Sequence, residues 1–266
     1  MKFIAMALLL LAPVLTSVLA PVLVSVPAFA VTPDEVQALY ARGDYEQAAR
    51  AGEASRMAAG VATAARAVLA DEVLRDQPCL SCLQRAESLA RQAIALDPHH
   101  AFGQVWLAVA LGYQARITGA VKARLANTPA QSKAALDQAV KDEPGNAFAV
   151  SALGGWHIEI VRGGGSLLAR MLYGASEKEA LALFDRAARL APDNVAVHYQ
   201  IGLSLAGFAA DRYRRRIAGE LQTAIASPPR TAYEKKMQER ASELLALMEN
   251  RSAFDARVRH YQGFPD

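Results

Sequence analysis

The chain has 266 residues, of which 53% are apolar and 21% are charged, with 29 Lys and Arg against 26 Asp and Glu. This length fits one large domain or two small ones, and the composition excludes a disordered chain. Two cysteines exclude a disulfide-dense scaffold and a four-cysteine zinc site, and a net charge of +3 argues against a dedicated nucleic-acid binder.

Residues 1–30 have the features of a secretory signal peptide. Lys2 is their one charged residue, apolar residues are densest from Leu8 to Leu11, and the segment ends Ala28-Phe29-Ala30. This pattern predicts export and cleavage after Ala30. The alternative is an uncleaved membrane anchor, which three prolines in the segment disfavour. The Ala- and Arg-rich body suggests a bacterial protein, so the predicted location is the periplasm.

From Val31 onward, apolar residues recur every three or four positions, which is the period of an α-helix. Five segments carry the capping-box spacing that marks a helix start. They begin at Thr32, Ser81, Thr128, Ser176 and Thr231. The last of them opens the predicted final helix, which runs to Asn250 with one apolar and one charged face, as a terminal cap requires.

An internal repeat appears when the helix ends are aligned on proline. The stretches Ala86 to Pro98 and Ala180 to Pro192 share the same spacing of small and large apolar residues, and Pro144 and Pro229 end partial matches. Beyond three of these prolines, a small residue recurs in the following helix, in Leu107-Ala108, Leu153-Gly154 and Ile201-Gly202. Small residues at fixed positions allow two helices to approach closely.

This repeat resembles the tetratricopeptide repeat, a helix hairpin with small apolar positions and a closing proline. The stretch from Asn146 to Leu247 is also similar to the regulator of microtubule dynamics family. That resemblance rests on Leu153-Gly154-Gly155-Trp156, the insert Gly165 to Gly174 and the helix Glu179 to Leu190. We take the fold from it, and not the cytoskeletal role that the family name implies.

We therefore predict an all-α, tetratricopeptide-like solenoid of helix hairpins with long intra-hairpin insertions and a C-terminal capping helix. Each hairpin buries its apolar face only against its neighbours. The predicted organisation is a signal peptide at 1–30, a degenerate N-terminal helix pair at 31–75, repeats and capping helix at 76–250, and a tail at 251–266.

The first helix of each hairpin lines the concave groove of such a solenoid. We predict a non-catalytic adaptor that binds a protein or peptide partner in this groove. Repeat position gives eight candidate groove residues: Phe102, Val105, Val109, Tyr113, Ser151, Glu159, Tyr199 and Leu203. No cofactor, metal or small-molecule substrate is predicted, since no phosphate loop, nucleophile elbow or metal-binding histidine spacing is present.

The remaining aromatic and glycine features have structural interpretations. His157 and His198 are predicted to be packed or groove-lining, and Trp106 and Trp156 to be core residues. The run Gly163-Gly164-Gly165 has no preceding strand and is predicted to be a flexible turn.

The motif Cys79-x-x-Cys82 lies just before a predicted helix, with Ser81 as the expected cap. A structural disulfide of the export compartment is the favoured interpretation. The alternative is a thiol–disulfide redox protein, because a thiol at a helix N-terminus has a lowered pKa. A thioredoxin-like context requires a strand before the helix, and the sequence predicts none there.

Three predicted intra-hairpin connections, 114–127, 161–175 and 208–219, are strongly basic, and their one acidic residue is Asp211. Their nine basic residues are Arg116, Lys122, Arg124, Arg162, Arg170, Arg212, Arg214, Arg215 and Arg216. Equivalent connections of a solenoid emerge on one edge, so these residues predict a basic edge. A second alternative function is therefore a peripheral component of an envelope assembly that touches an anionic membrane surface.

Overall fold

The computed structural model describes residues 31–75 and 78–264, so the predicted signal peptide lies outside the described residues. Over these ranges the chain forms thirteen α-helices and no strand. In chain order they are α1 (Pro33–Arg42), α2 (Tyr45–Glu53), α3 (Ala58–Leu74), α4 (Leu80–Leu96), α5 (Ala101–Thr118), α6 (Ala120–Leu125), α7 (Thr128–Asp142), α8 (Ala147–Tyr173), α9 (Glu177–Leu190), α10 (Val195–Ala209), α11 (Arg214–Ala226), α12 (Ala232–Leu247) and α13 (Arg251–Tyr261).

The helices pack as successive hairpins, α1 with α2, α3 with α4, α5 with α7, α8 with α9, and α10 with α11. The short helix α6 lies in the connection between α5 and α7. Helix α12 packs on α11 and α10 at the end of the row. The predicted all-α, tetratricopeptide-like solenoid is therefore confirmed.

Three of the five predicted helix starts are capped as the sequence indicates. Thr32 forms a reciprocal capping box with Glu35, and the hydroxyls of Ser176 and Thr231 each accept the backbone N–H three residues on. The other two were wrong. Helix α4 begins before Ser81, with Cys79 as its cap, and α7 begins at Thr128 itself.

The small residues of the repeat occupy positions of close helix approach. A Cβ atom built on Gly154 of α8 would lie 2.7 Å from the buried ring of Phe184 in α9. A Cβ atom on Gly202 of α10 would lie 3.2 Å from a methyl group of Leu221 in α11. The hairpins pack tightly at these points because no side chain separates the helices.

The predicted insertions are largely helical extensions. Helix α5 continues to Thr118, and α8 continues to Tyr173 across a kink at Gly165, where φ is 73°. The prediction of a flexible turn at residues 163–165 was therefore wrong. Only Gly165 leaves the helical conformation, in a region that glycine enters without steric cost.

The two ends of the chain also differ from the predicted organisation. Helix α3 pairs with α4, so the predicted boundary after residue 75 divides a hairpin. The predicted tail contains α13, whose buried residues Phe254, Val258 and Tyr261 pack against α10 and α12. Helix α1 also contacts α12, so the solenoid curls until its two ends meet.

None of the helices described in residues 31–75 and 78–264 is both long and apolar enough to cross a membrane.

Candidate binding pocket

The inner side of the curled solenoid encloses a concave pocket of about 970 Å³. Most of its lining comes from α3, α5, α8 and α10, which are the first helices of successive hairpins. Helices α6, α7 and α13 supply further lining residues, and α1 and α12 contribute Tyr40 and Tyr233. The lining is mainly apolar, and this is the composition expected of a ligand site with a few fixed polar groups.

Five of the eight predicted groove residues line this pocket: Val105, Val109, Tyr113, Ser151 and Glu159. The other three do not. Phe102 stacks on Trp106 with its ring centroid 5.8 Å away, outside the pocket lining. Tyr199 and Leu203 are only 2% and 3% exposed and lie in the core.

Tyr199 and Leu203 were predicted on the wrong face of α10. The pocket-lining positions of α10 include Val197, Gln200 and Ser204, whereas Tyr199 and Leu203 lie one turn apart on a different face. Repeat alignment placed the helix correctly, but its rotation about its own axis was wrong.

Arg66 of α3 is a pocket residue that sequence analysis missed. Its guanidinium carbon lies 4.1 Å from the ring centroid of Tyr40, 5.4 Å from that of Trp106 and 5.7 Å from that of Phe148. Within residues 31–75 and 78–264, no carboxylate forms an ion pair with it. Arg66 therefore places an uncompensated positive charge against an aromatic wall.

Arg66 escaped prediction because residues 31–75 were treated as one degenerate helix pair. The signal that identifies it is indirect. The repeat ending at Pro98 is the second helix of a hairpin, so the preceding helical segment must be the first helix and must face the groove.

A second charged group of the pocket lies between α5, α8 and the C-terminal segment. The carboxylate of Glu159 pairs with Arg116, 3.4 Å away, and with Arg162. Burial lowers the pKa of Arg162, and Glu159 opposes that shift. Arg116 and Arg162 were predicted for an exposed basic edge. They line the pocket instead, because the helices that carry them extend past the expected hairpin ends.

The C-terminal segment after α13 also lines the pocket. The backbone carbonyl of Gln262 accepts a hydrogen bond from Arg116 at 2.8 Å, and its side chain bonds both Arg162 and the carbonyl of Leu203. The ring of Phe264 lies 4.6 Å from the guanidinium carbon of Arg162. This segment was predicted as a tail, and no repeat pattern marks it as part of the site.

The remaining basic residues fall into two groups. Arg212, Arg214 and Arg216 pair with Glu177, Glu249 and Asp185 respectively. Lys122, Arg124, Arg170 and Arg215 are exposed and form no ion pair with any described residue. The predicted basic edge is therefore not formed by all nine residues, since Arg116 and Arg162 line the pocket and three others are paired with acidic side chains.

Cys79 and Cys82 form a disulfide at the start of α4, outside the pocket. The backbone N–H of Cys79 donates to Glu72, 2.6 Å away, and this carboxylate is only 2% exposed. A carboxylate oxygen of Glu72 lies within 4.8 Å of both sulfur atoms. At the disulfide, the sequence did not predict the buried carboxylate of Glu72.

The histidines singled out by the sequence are packed side chains. Nδ1 of His157 accepts the backbone N–H of Ser176 at 3.2 Å, and burial lowers the pKa of His157. Nδ1 of His198 lies 2.7 Å from a carboxylate oxygen of Glu220.

Trp156 is a core residue, as predicted, at 8% exposed, and it also lines the pocket, whereas Trp106 lines the pocket and is packed against the core. The indole N–H of Trp156 donates to the carbonyl of Pro129 at 3.0 Å, which fixes the ring in the wall. Trp106 is only partly buried and stacks on Phe102.

The fold and the concave pocket define a tetratricopeptide-like helical protein. The chain belongs to the regulator of microtubule dynamics protein 1-3 family, whose model matches residues 52–249. This match reaches further toward the N-terminus than the stretch from Asn146 on which the sequence resemblance rests. It includes α3, and therefore Arg66.

Among solved structures, the chain is similar to a monomeric mutant of IFIT1 with Gppp-AAAA, at 17% identity and a TM-score of 0.43. The alignment covers 86% of this chain and 57% of that chain, so this chain spans little more than half of the IFIT1 chain. No curated protein matches the chain in sequence.

Proposed function

We propose that the protein is a non-catalytic adaptor that binds a segment of a protein partner in its concave pocket. The pocket suits an apolar segment with an acidic side chain, because its aromatic wall holds Arg66 without a carboxylate partner. An incoming carboxylate would complete this cation–aromatic cluster and gain a charge-assisted hydrogen bond. The lack of a carboxylate partner for Arg66 among the described residues is the observation that carries the proposal.

The titratable groups of the pocket support binding over catalysis. Among the described lining residues there is no histidine or cysteine, and Glu159 is held between two arginines. A nucleophile–base pair, which a hydrolase requires, is not among the contacts of these residues. We also propose an exported, periplasmic location, which the signal-like segment 1–30 and the disulfide support.

Site-specific photo-crosslinking tests the adaptor proposal. A benzoylphenylalanine at Ala152, which lines the pocket, is compared with one at Lys141, which is exposed on the second helix α7. We expect one partner to crosslink at position 152 and not at 141. The same adduct is expected to weaken when Arg66→Gln removes the guanidinium charge.

Three outcomes count against the adaptor. The first is equal crosslinking from both positions, and the second is no protein adduct at position 152. The third is native mass spectrometry that finds a small molecule retained in the purified wild-type chain while no protein partner is captured.

A second candidate function is thiol–disulfide exchange through Cys79 and Cys82, and the position of Glu72 favours it. Reduction of the disulfide takes two electrons and two protons from two thiols, which are themselves oxidised to a disulfide. The buried Glu72 carboxylate, which is close to both sulfurs and paired with Arg75, is placed to relay one of those protons. We expect Glu72→Gln to slow reduction by glutathione if this function operates. A pair that resists the glutathione pool in both chains identifies a structural disulfide instead.

A further inference from the structure

Exposed large apolar side chains are concentrated on two segments of the protein. Six of the nine in the described residues lie on α6 or on the part of α8 beyond the Gly165 kink, and they are between 50% and 83% exposed. They are Val121, Leu125, Leu167, Leu168, Met171 and Leu172. We call α6 together with residues 166–173 the insertion patch. A cluster of this kind marks an interaction surface, whereas isolated exposed apolar residues do not.

The charges of the insertion patch are all of one sign. Lys122, Arg124 and Arg170 are exposed there and form no ion pair with any described residue. No acidic residue occurs in 114–131 or in 161–176. The patch therefore alternates apolar side chains with uncompensated cations.

Both parts of the patch border the same pocket. Gly119, with φ of 86°, and Asn127, with φ of 55°, separate α6 from its neighbours, while Gly165 redirects the end of α8. Ala123 and Leu168 both line the same pocket, so the two segments lie at its rim. Arg124, Leu168 and Leu172 of the patch also line the pocket, whereas its other exposed apolar residues do not: Val121, Leu125, Leu167 and Met171.

This chemistry favours one occupant over the others. The interface of an anionic lipid bilayer accepts apolar side chains at the acyl boundary and cations at the headgroups, at about 1 kcal/mol for each Lys or Arg. A second copy of the chain is disfavoured, because a two-fold pairing of the patch with itself would bring like charges together. We propose that the insertion patch docks the protein onto an anionic membrane surface.

Vesicle co-sedimentation tests this docking with the chain that begins at Val31, which contains every described helix. The vesicles are phosphatidylcholine alone or phosphatidylcholine with about 30% phosphatidylglycerol. We expect binding to the anionic vesicles only, weakened by added salt because part of the attraction is screened. The combined variant Lys122→Glu, Arg124→Glu and Arg170→Glu is expected to lower the partition coefficient at least about tenfold.

Matched controls separate the patch from general charge and apolarity. The charge control reverses three exposed cations elsewhere: Lys141→Glu, Arg189→Glu and Lys235→Glu. A second pair of triple variants tests the apolar contribution to vesicle binding. The patch variant carries Leu125→Ser, Leu167→Ser and Met171→Ser. Its control changes the three exposed large apolar residues outside the patch: Met57→Ser, Leu96→Ser and Leu190→Ser. Only the patch variants are expected to lose binding.

Several results would overturn the proposal. They are equal binding to neutral and anionic vesicles, no binding to either, or the same loss in patch and control variants. Dimerisation of the wild-type chain in light scattering, abolished by the serine variants of the patch, would assign the surface to self-association. None of these measurements involves Arg66, and the serine variants of the patch replace no pocket-lining residue, so they leave the adaptor proposal to its own test.

Discussion

Arg162 and Gln262 lie 100 positions apart in the chain and are joined by a 2.9 Å hydrogen bond from the guanidinium to the side-chain carbonyl. The bond links α8 to the segment that follows α13. The same Gln262 side chain donates to the carbonyl of Leu203 in α10. The C-terminal segment thereby joins two first helices and forms part of the pocket wall.

Replacement of Gln262 by alanine is expected to lower the free energy of unfolding by about 2 kcal/mol. The change removes the hydrogen bonds that the Gln262 side chain forms with Arg162 and with the Leu203 carbonyl. Urea unfolding followed by circular dichroism measures the effect. Gln37→Ala, at an exposed position of α1, is the control and is expected to cost less than about 0.5 kcal/mol. Equal effects at both positions would show that Gln262 stabilises nothing by its contacts.

Gly207 faces the same glutamine, and a Cβ atom there would lie 2.1 Å from Nε2 of Gln262. Gly207→Ala is expected to displace this side chain and cost about 1–3 kcal/mol. In the Gln262→Ala background the same change meets no amide and is expected to be nearly neutral. A double-mutant cycle measures this coupling. Additive effects would mean that the glycine is required for a reason other than the glutamine.

The adjacent glycines Gly154 and Gly155 of α8 provide a test of hairpin packing. A Cβ atom on Gly154 meets the buried Phe184 ring, whereas one on Gly155 meets only Ser204 at 3.8 Å. Gly154→Ala is expected to destabilise the protein by about 1–3 kcal/mol, because the ring has no space to move. Gly155→Ala is expected to be neutral or stabilising by up to about 1 kcal/mol, from helix propensity. Thermal and urea unfolding of both variants decide the matter, and the reverse ranking would contradict the α8–α9 packing.

His157 predicts a pH dependence of stability. Burial lowers its pKa below the ordinary value of 6.5, so the unfolded chain binds a proton that the folded chain does not bind. Stability therefore falls as the pH drops below about 6.5, and it is unaffected by this group at higher pH. His157→Asn keeps an acceptor for the Ser176 N–H and removes the titration. We expect this variant to lose less stability than the wild type between pH 7.5 and 5.5, by up to about 1 kcal/mol in urea unfolding. Equal losses of stability in the wild type and the variant would contradict a contribution of His157 to the pH dependence.

The helical solenoid could be predicted from the sequence because hydrophobic periodicity, helix caps and prolines are local signals. Thr32, Ser176 and Thr231 were identified from side chains three residues apart, and the Gly154 contact from a repeated small position. These features depend on short stretches of chain, which a single sequence displays directly.

The pocket was only partly predictable, because it depends on rotation and closure of the solenoid. Tyr199 and Leu203 lie in the core because α10 is rotated about its own axis relative to the predicted orientation. Gln262 and Phe264 reach the site through a return of the chain that no repeat encodes. Arg116 and Arg162 line the pocket and not the predicted edge, because α5 and α8 continue beyond their expected ends. The length of such a helix extension depends on tertiary packing, which the local sequence does not display.

The most direct test of partner binding in the concave pocket is a variant that fills the pocket with a large side chain. Gly112 of α5 lines the pocket, and a Cβ atom there meets nothing within 4 Å, so Gly112→Phe occupies the space without a backbone clash. Gly219 of α11 is equally open but lies outside the pocket, and Gly219→Phe is its control. The measurement is the Kd of the partner that crosslinks at position 152. The account predicts binding at least about tenfold weaker for Gly112→Phe and unchanged for Gly219→Phe. Equal affinity of both variants for that partner would contradict it.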